Sequence, residues 1–137
     1  MSQSEFNEAA YQQPAFAEFL GLKITSVSPE RVTAELAARP ELNNRHGIMH
    51  GGAVMALADN LGGTCATANL KPGQGTTTIE SKTNFFAAVP TGDVAKAECV
   101  PLHRGRTTMV FQTRITRNDG KLCALVTQTQ MVLEKKV

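Results

Sequence analysis

The chain has 137 residues, a length that suits one domain and is too short for two domains with separate cores. It is 42% hydrophobic and 19% charged, which is typical of a packed globular protein and excludes a disordered or fibrous chain. Its 14 basic and 12 acidic residues leave a net charge of +2, which argues against nucleic acid or an acidic membrane as the main partner. We expect one domain over residues 1–137, with residues 1–13 forming a flexible or helical extension.

The cysteine pattern and the start of the chain indicate where the protein works. Cys65, Cys99 and Cys123 are an odd number without a CxxC pair, as expected of reduced thiols. The first ten residues include Glu5 and Glu8 and no long apolar run, so the sequence predicts neither a signal peptide nor a membrane span. We therefore expect a cytoplasmic protein.

Short elements come first along the chain. Pro14–Leu20 predicts a helix, because proline suits a first helical turn and Gly21 suits a left-handed stop. Alternating apolar and polar residues then predict two strands, Leu22–Val27 and Val32–Leu36. Residues 28–30 would form the turn between these strands.

One long helix is predicted over Gly51–Ala68. Its apolar residues recur at steps of three and four, which places them on one stripe of the helix. These residues are Val54, Leu57, Ala58, Leu61, Cys65 and Ala68. The turn-forming residues 71–75 end the helix.

The rest of the chain predicts four long strands. They are Thr76–Ala87, Asp93–Leu102, Thr107–Arg117 and Lys121–Leu133. Residues 104–106 and 118–120 are suited to hairpin turns. The expected class is α+β, with a mostly antiparallel sheet wrapped around one central helix.

The start of the long helix carries the residues most suited to chemistry. Gly51 and Gly52 leave backbone N–H groups free to meet an anion or an oxyanion. Asp59 is the only carboxylate between Glu41 and Glu80, and it lies within an apolar helix. Such a residue is either functional or a structural carboxylate that is hydrogen-bonded or solvent-facing.

The spacing of Gly51 and Asp59 bears on assembly. Eight residues on one helix separate them by about 12 Å along the axis and about 80° in direction. They cannot both reach one carbonyl carbon within a chain. If they serve one site, a second copy supplies one of them, and a two-fold dimer would hold two such sites.

Four segments of this sequence resemble the hot dog-fold acyl-CoA thioesterases. They are Asn44, the run HGGAVMALADNLGG over 50–63, the run SKTNFFAAVPTGD over 81–93, and HRGR over 103–106. The resemblance is to the PaaI-like, phenylacetate-pathway branch, which is related to Arthrobacter-type 4-hydroxybenzoyl-CoA thioesterase. It implies a hot dog fold, an acyl-CoA substrate, hydrolysis to free acid and coenzyme A, and a homodimer or homotetramer with sites at subunit interfaces.

The resemblance also implies catalytic roles. The Gly51 N–H would polarise the thioester carbonyl, and Asp59 of the neighbouring subunit would act as nucleophile or as general base. Asn44 would hold the thioester and the water, and Thr78 would orient the water. No cofactor is implied.

Six further residues are expected at the substrate site: His50, Gly52, Phe85, Phe86, Arg104 and Arg106. His50 is expected to shape the helix start rather than to act as a base. The two phenylalanines either line an acyl pocket or, because neighbours on a strand face opposite sides, contribute at least one ring to the core. The two arginines are either solvated charges or contacts to the phosphates of coenzyme A.

Other chemistries are less well supported. His46 and His50 have metal-ligand spacing but no third ligand, so no metal is expected. Cys65 lacks a suitably spaced histidine and is expected to be buried. Related hydratases place a histidine about five residues after the aspartate, where this chain has Thr64, and some thioesterase relatives carry a threonine where it has Gly63. A non-catalytic acyl-CoA-binding module and an enoyl-CoA hydratase remain the alternatives.

Overall fold

The structure, a computed structural model, describes residues 10–134. The elements that lie wholly within these residues are two helices and six strands, with one 3-10 turn over Pro40–Leu42. The elements are α1 (Ala15–Leu20), β1 (Lys23–Ser28), β2 (Arg31–Ala37), α2 (Gly51–Ala68), β3 (Gly75–Phe85), β4 (Val94–Arg104), β5 (Thr108–Thr116) and β6 (Leu122–Leu133). None of the helices described is long and apolar enough to cross a membrane.

The six strands form one antiparallel sheet in the order β1-β2-β4-β5-β6-β3. Helix α2 packs against all six strands. The expected antiparallel sheet around one central helix is therefore confirmed. Strand β3 lies at one edge, where its only partner among the described strands is β6.

The apolar stripe of α2 forms the centre of the core. All six residues of the predicted stripe are at most 6% exposed, and Leu57 and Leu61 are fully buried. Burying a leucine side chain contributes about 1.5–3 kcal/mol, so these two positions alone favour the helix in this place. They fix the rotation of α2 about its axis, and with it the direction in which Asp59 points.

Turn residues fall where their backbone chemistry requires them. Pro14 precedes α1, and Gly21 ends it with a φ of 84°. Gly120 has a φ of 86° and donates its N–H to the carbonyl of Arg117, closing the β5–β6 hairpin. L-residues with a Cβ rarely adopt these angles, which explains why glycine occupies both positions.

The N-terminal extension is described from residue 10 onwards, and residues 1–9 lie outside the described residues. Ala10 is only 3% exposed. The Gln13 amide donates to the carbonyl of Ala10 over 2.7 Å and accepts a hydrogen bond from the side chain of Asn60 on α2. Residues 10–13 are therefore held against α2 at Asn60, the residue that follows Asp59.

Candidate active site

Asp59 lies on the exposed side of α2, where β3 and β6 approach the helix. Its Oδ1 accepts a hydrogen bond from Thr78 Oγ1 at 2.8 Å and another from Gln128 Nε2 at 3.2 Å. Within residues 10–134, Oδ2 accepts no hydrogen bond. Asp59 is therefore held by one oxygen and presents the other, which is the arrangement that a nucleophile or general base needs.

A cavity of about 300 Å³ surrounds this carboxylate. Its walls are mostly hydroxyl and amide side chains: Gln12, Gln13, Asn60, Thr64, Thr67, Thr76, Thr77, Thr78 and Gln130. Gly63 also lines it, and the space where a side chain would stand is open. The Thr64 hydroxyl donates to the Asn60 carbonyl, so it is already committed within the helix.

Gly51 is the first residue of α2, at the opposite end of the helix from the turn-forming residues 71–75. His50 caps the helix, because its Nδ1 accepts the Gly52 N–H over 2.7 Å. In the described part of the chain the Gly51 N–H has no acceptor. The diglycine start therefore presents one free donor at Gly51, whereas the Gly52 N–H is used by His50.

A second cavity, of about 320 Å³, opens beside Gly51. It is mainly apolar and is lined by Asn44, Ile48, Met49, Val54, Phe85, Phe86, Ala87, Ala88, Val89 and Cys123. It shares no lining residue with the cavity around Asp59. Within one chain, the free N–H and the free carboxylate oxygen therefore face different spaces, as the helix spacing predicts.

Both phenylalanines of the second cavity are exposed. Phe85 is 53% and Phe86 is 57% exposed, so of the two alternatives the one that places a ring in the core is wrong, and both rings line the cavity. Strand β3 ends at Phe85, because the N–H groups of Phe86 and Ala87 both turn to the Cys123 carbonyl. Phe85 faces the helix at Gly51, where its ring lies 3.3 Å from the place that a Cβ would take, and a glycine offers no side chain to cover the ring.

Asn44 closes a tight turn before the helix. Its Oδ1 accepts the N–H of His46 at 2.8 Å and that of Ile48 at 3.4 Å. Its Nδ2 donates no hydrogen bond among the described residues. Asn44 therefore borders the Gly51 cavity with an amide donor to spare, which suits contact with a carbonyl oxygen or a water.

A bulge in β3 aligns the two halves of the site. Thr78 and Glu80 oppose consecutive residues of β6, so Ile79 is an extra residue between them. Without it, Thr78 and Phe85, seven residues apart, would face opposite sides of the sheet. With it, Thr78 reaches Asp59 and Phe85 reaches Gly51 from the same, helix-facing side.

The two arginines flank the β4–β5 turn, which forms where the sequence predicts it. With Lys71, Arg104 and Arg106 line a cavity of about 400 Å³ near the C-terminal end of α2. Arg104 donates to Asn69 Oδ1 at 3.2 Å and lies 3.9 Å from a carboxylate oxygen of Glu30. Three basic side chains therefore converge on one open cavity.

Cys65 is not suited to act as a nucleophile. Cys65 is buried, and a hydrogen bond with Cys99 together with burial raises the pKa of its thiol far above the usual range. A protonated thiol without a base is a poor nucleophile. Over residues 10–134, no three His, Cys, Asp or Glu side chains cluster closely enough to hold a metal ion.

Comparison with known proteins assigns the family. The sequence profile described as "Thioesterase superfamily" matches residues 46–124, which include Gly51, Asp59 and Thr78. The chain belongs to the thioesterase superfamily. Two sequence relatives of this thioesterase-superfamily chain are Rv1847 of Mycobacterium tuberculosis, provisionally named an esterase, and the proofreading thioesterase EntH of Cronobacter turicensis. Rv1847 is 32% identical over 80% of this chain and 79% of its own length, and EntH is 29% identical over 77% of each.

Solved structures confirm the hot dog fold of this superfamily member. The PaaI protein of the Escherichia coli phenylacetic acid degradation operon superposes with a TM-score of 0.87, over 98% of this chain and 95% of its own. At 21% identity, that likeness concerns the fold. The family resemblance drawn from the 50–63 run is confirmed, and the family supports hydrolase activity on a thioester.

Sequence analysis did not single out Gln128 or Gln130. Gln130 Nε2 donates to Thr78 Oγ1 at 2.6 Å, while Gln128 contacts Asp59 itself. A signal was available, because the alternation of β6 places both glutamines on the same face as Ala124 and Val126, which are buried. Two amides on an inward face need partners, and those partners prove to be site residues.

Proposed function

We propose that this protein hydrolyses the thioester of an acyl- or aryl-coenzyme A to the free acid and coenzyme A, in a site shared by two copies of the chain. The observation that carries the proposal concerns two groups that have no hydrogen-bond partner within residues 10–134: the Gly51 N–H and Asp59 Oδ2, which lie at separate cavities of the same chain. The family supplies the reaction class.

The chemistry follows from the two groups. The Gly51 N–H, at the positive end of α2, stabilises the oxyanion that forms when the thioester carbonyl is attacked. Asp59 Oδ2 either takes a proton from the attacking water or attacks the carbonyl carbon to give an anhydride, which water then cleaves. In both routes the C–S bond breaks and the departing thiolate takes up a proton. Thr78 directs its single proton to Asp59, so it supports the carboxylate rather than the water.

The free edge of β3 suggests how two copies meet. It is 11 residues long, roughly 35 Å, and an exposed edge of that length is normally covered. An antiparallel pairing of two β3 strands about Ser81–Lys82 would place Thr78 of one copy opposite the partner's Phe85. The Asp59 cavity of one chain would then adjoin the Gly51 cavity of the other, and the exposed rings of Phe85 and Phe86 would be covered.

Two observations favour a thioesterase over the non-catalytic binding module and the hydratase. Binding alone does not require a carboxylate with a free oxygen, which the proposed shared site would bring beside the free N–H of the other copy. A hydratase of the related kind would need a histidine where Thr64 donates to its own helix. A panel of acyl-coenzyme A esters assayed for free thiol tests the proposal directly. Binding without thiol release would favour the non-catalytic module.

The basic cavity predicts how the coenzyme is held. Replacing Arg104 and Arg106 together by alanine should raise KM for acyl-coenzyme A by about tenfold, since exposed ion pairs contribute up to about 1 kcal/mol each. Because such contacts are alike in ground and transition states, kcat should change little. Steady-state kinetics at low and high salt measure this, and the effect should shrink with salt because exposed charges are screened.

Two controls make that measurement specific. Arg114→Ala is the first control. It removes an exposed arginine from the outer face of the sheet and should leave KM unchanged. A short thioester without the nucleotide should be cleaved equally by wild type and double variant. An unchanged KM for acyl-coenzyme A at low salt would assign Arg104 and Arg106 to the solvated surface.

A further inference from the structure

Two glutamines of β6 point into the interior beneath Asp59, and each is only 1% exposed. Gln130 is fully paired: its Oε1 accepts from Thr76 Oγ1 at 2.9 Å and its Nε2 donates to Thr78 at 2.6 Å. Gln128 donates Nε2 to Asp59 Oδ1 at 3.2 Å. Its Oε1 is buried without a partner among the described residues. A buried carbonyl without a partner is unfavourable for stability, so it calls for a reason.

Gly62 provides the space that Gln128 occupies. A Cβ at Gly62 would collide with Cδ, Oε1 and Nε2 of the Gln128 amide. The amide therefore rests directly on the backbone of α2, and no residue larger than glycine fits there without moving it. Glycine destabilises the interior of a helix, so stability alone does not explain why a glycine occupies position 62.

Both unfavourable features belong to one group, the Gln128 side-chain amide, and that amide donates to Asp59 Oδ1. We propose that Gln128, seated on Gly62, is a positioning residue for catalysis: it fixes the Asp59 carboxylate through Oδ1 and so directs Oδ2 to the thioester. Gln130 completes the arrangement, because it donates to Thr78 and leaves the Thr78 hydroxyl proton for the same Oδ1. This inference rests on the proposed function of Asp59.

The physical reason is the freedom of a surface carboxylate. Asp59 is exposed on its helix, and its side chain would otherwise rotate among several orientations. Two donors on one oxygen, themselves locked by packing, select one orientation. Misplacing a reacting group by about 1 Å costs about a hundredfold in rate, which sets the size of the expected effect.

The first experiment is Gln128→Met, which keeps the length of the side chain and removes both polar atoms. We expect kcat to fall by about tenfold to a hundredfold with KM unchanged. The melting temperature should stay level or rise, because an unpaired buried carbonyl is removed. Gln112→Met is the matched control, since Gln112 lies on the outer face of the sheet and should keep wild-type kinetics.

Two results would overturn the inference. One is a kcat for Gln128→Met within twofold of wild type. The other is a loss of activity that matches the loss of folded protein, which is what a purely structural role predicts. A double variant distinguishes a positioning role from a structural role. In an Asp59→Asn background, Gln128→Met should cause no further loss of activity if Gln128 acts through Asp59.

A second measurement does not depend on turnover. In ¹⁵N-labelled protein, the side-chain amide signals of Gln128, assigned by their absence in Gln128→Met, should be protected from solvent exchange and should shift in Asp59→Asn and in Gly62→Ala. Signals that exchange freely and ignore both changes would refute the positioning role. If wild type cleaves no acyl-coenzyme A, the proposed function fails, while this measurement still decides whether Gln128 holds Asp59.

Discussion

Asp59→Asn should lower thioester hydrolysis by at least about a hundredfold, as expected for loss of a nucleophile or general base. Asparagine has the size of aspartate, and its Oδ1 can still accept from Thr78 and Gln128. The substitution therefore replaces only the free oxygen by an amide nitrogen. The fold and the oligomeric state should be unchanged, so the loss should fall on kcat.

The measurement is the rate of thiol release from an active acyl-coenzyme A at saturating substrate. Glu35→Gln, which neutralises an exposed carboxylate on β2, is the control and should retain wild-type activity. Near-normal turnover by folded Asp59→Asn protein would remove Asp59 from the mechanism.

Gly51→Pro should lower kcat by about a hundredfold to a thousandfold, the usual effect of losing one oxyanion donor. Proline removes the backbone N–H, yet it suits the first position of a helix. His50 already has φ −61° and ψ 137°, which is the extended conformation that a residue before proline adopts. The helix should therefore form as in wild type.

Gly51→Ala is the matched comparison, because it adds a Cβ and keeps the N–H. That Cβ would lie 3.3 Å from the exposed ring of Phe85, which has room to move. We expect the alanine variant to lose less than about tenfold in kcat. Equal losses in the two variants would show that the Phe85 contact, rather than the N–H, matters at this position.

The site was predictable where the chemistry lies in a local run of residues. The spacing of Gly51 and Asp59 on one helix, and the turn residues at both ends of that helix, are local properties. The same spacing indicated that, if Gly51 and Asp59 serve one site, two chains must share it. The apolar stripe of α2 was predictable because helical periodicity repeats within a few residues.

The support beneath Asp59 was not predicted, because it depends on contacts across the fold. Gln128 and Asp59 are 69 residues apart, and Gln130 and Thr78 are 52 apart. The bulge at Ile79 also escaped prediction, since one extra residue in a strand leaves no mark in the alternation of a threonine-rich segment.

The alternative that placed Phe85 or Phe86 in the core is wrong for a physical reason. Aromatic residues at the end of a strand are usually buried by the layer above them. Here the residue of α2 that lies against Phe85 is Gly51, which has no side chain, so the ring remains half exposed in one chain. Exposure of both rings is what a surface completed by a second copy would show.

The most direct test of a site shared between chains is a hybrid of two inactive variants. Asp59→Asn and Gly51→Pro chains with different affinity tags are co-expressed, and the hybrid carrying both tags is purified and assayed for acyl-coenzyme A hydrolysis. Each hybrid pair would combine one intact Asp59 with one intact Gly51 in a single site, so about half the wild-type activity per pair should return. Activity no higher than that of either inactive parent would contradict the two-chain site.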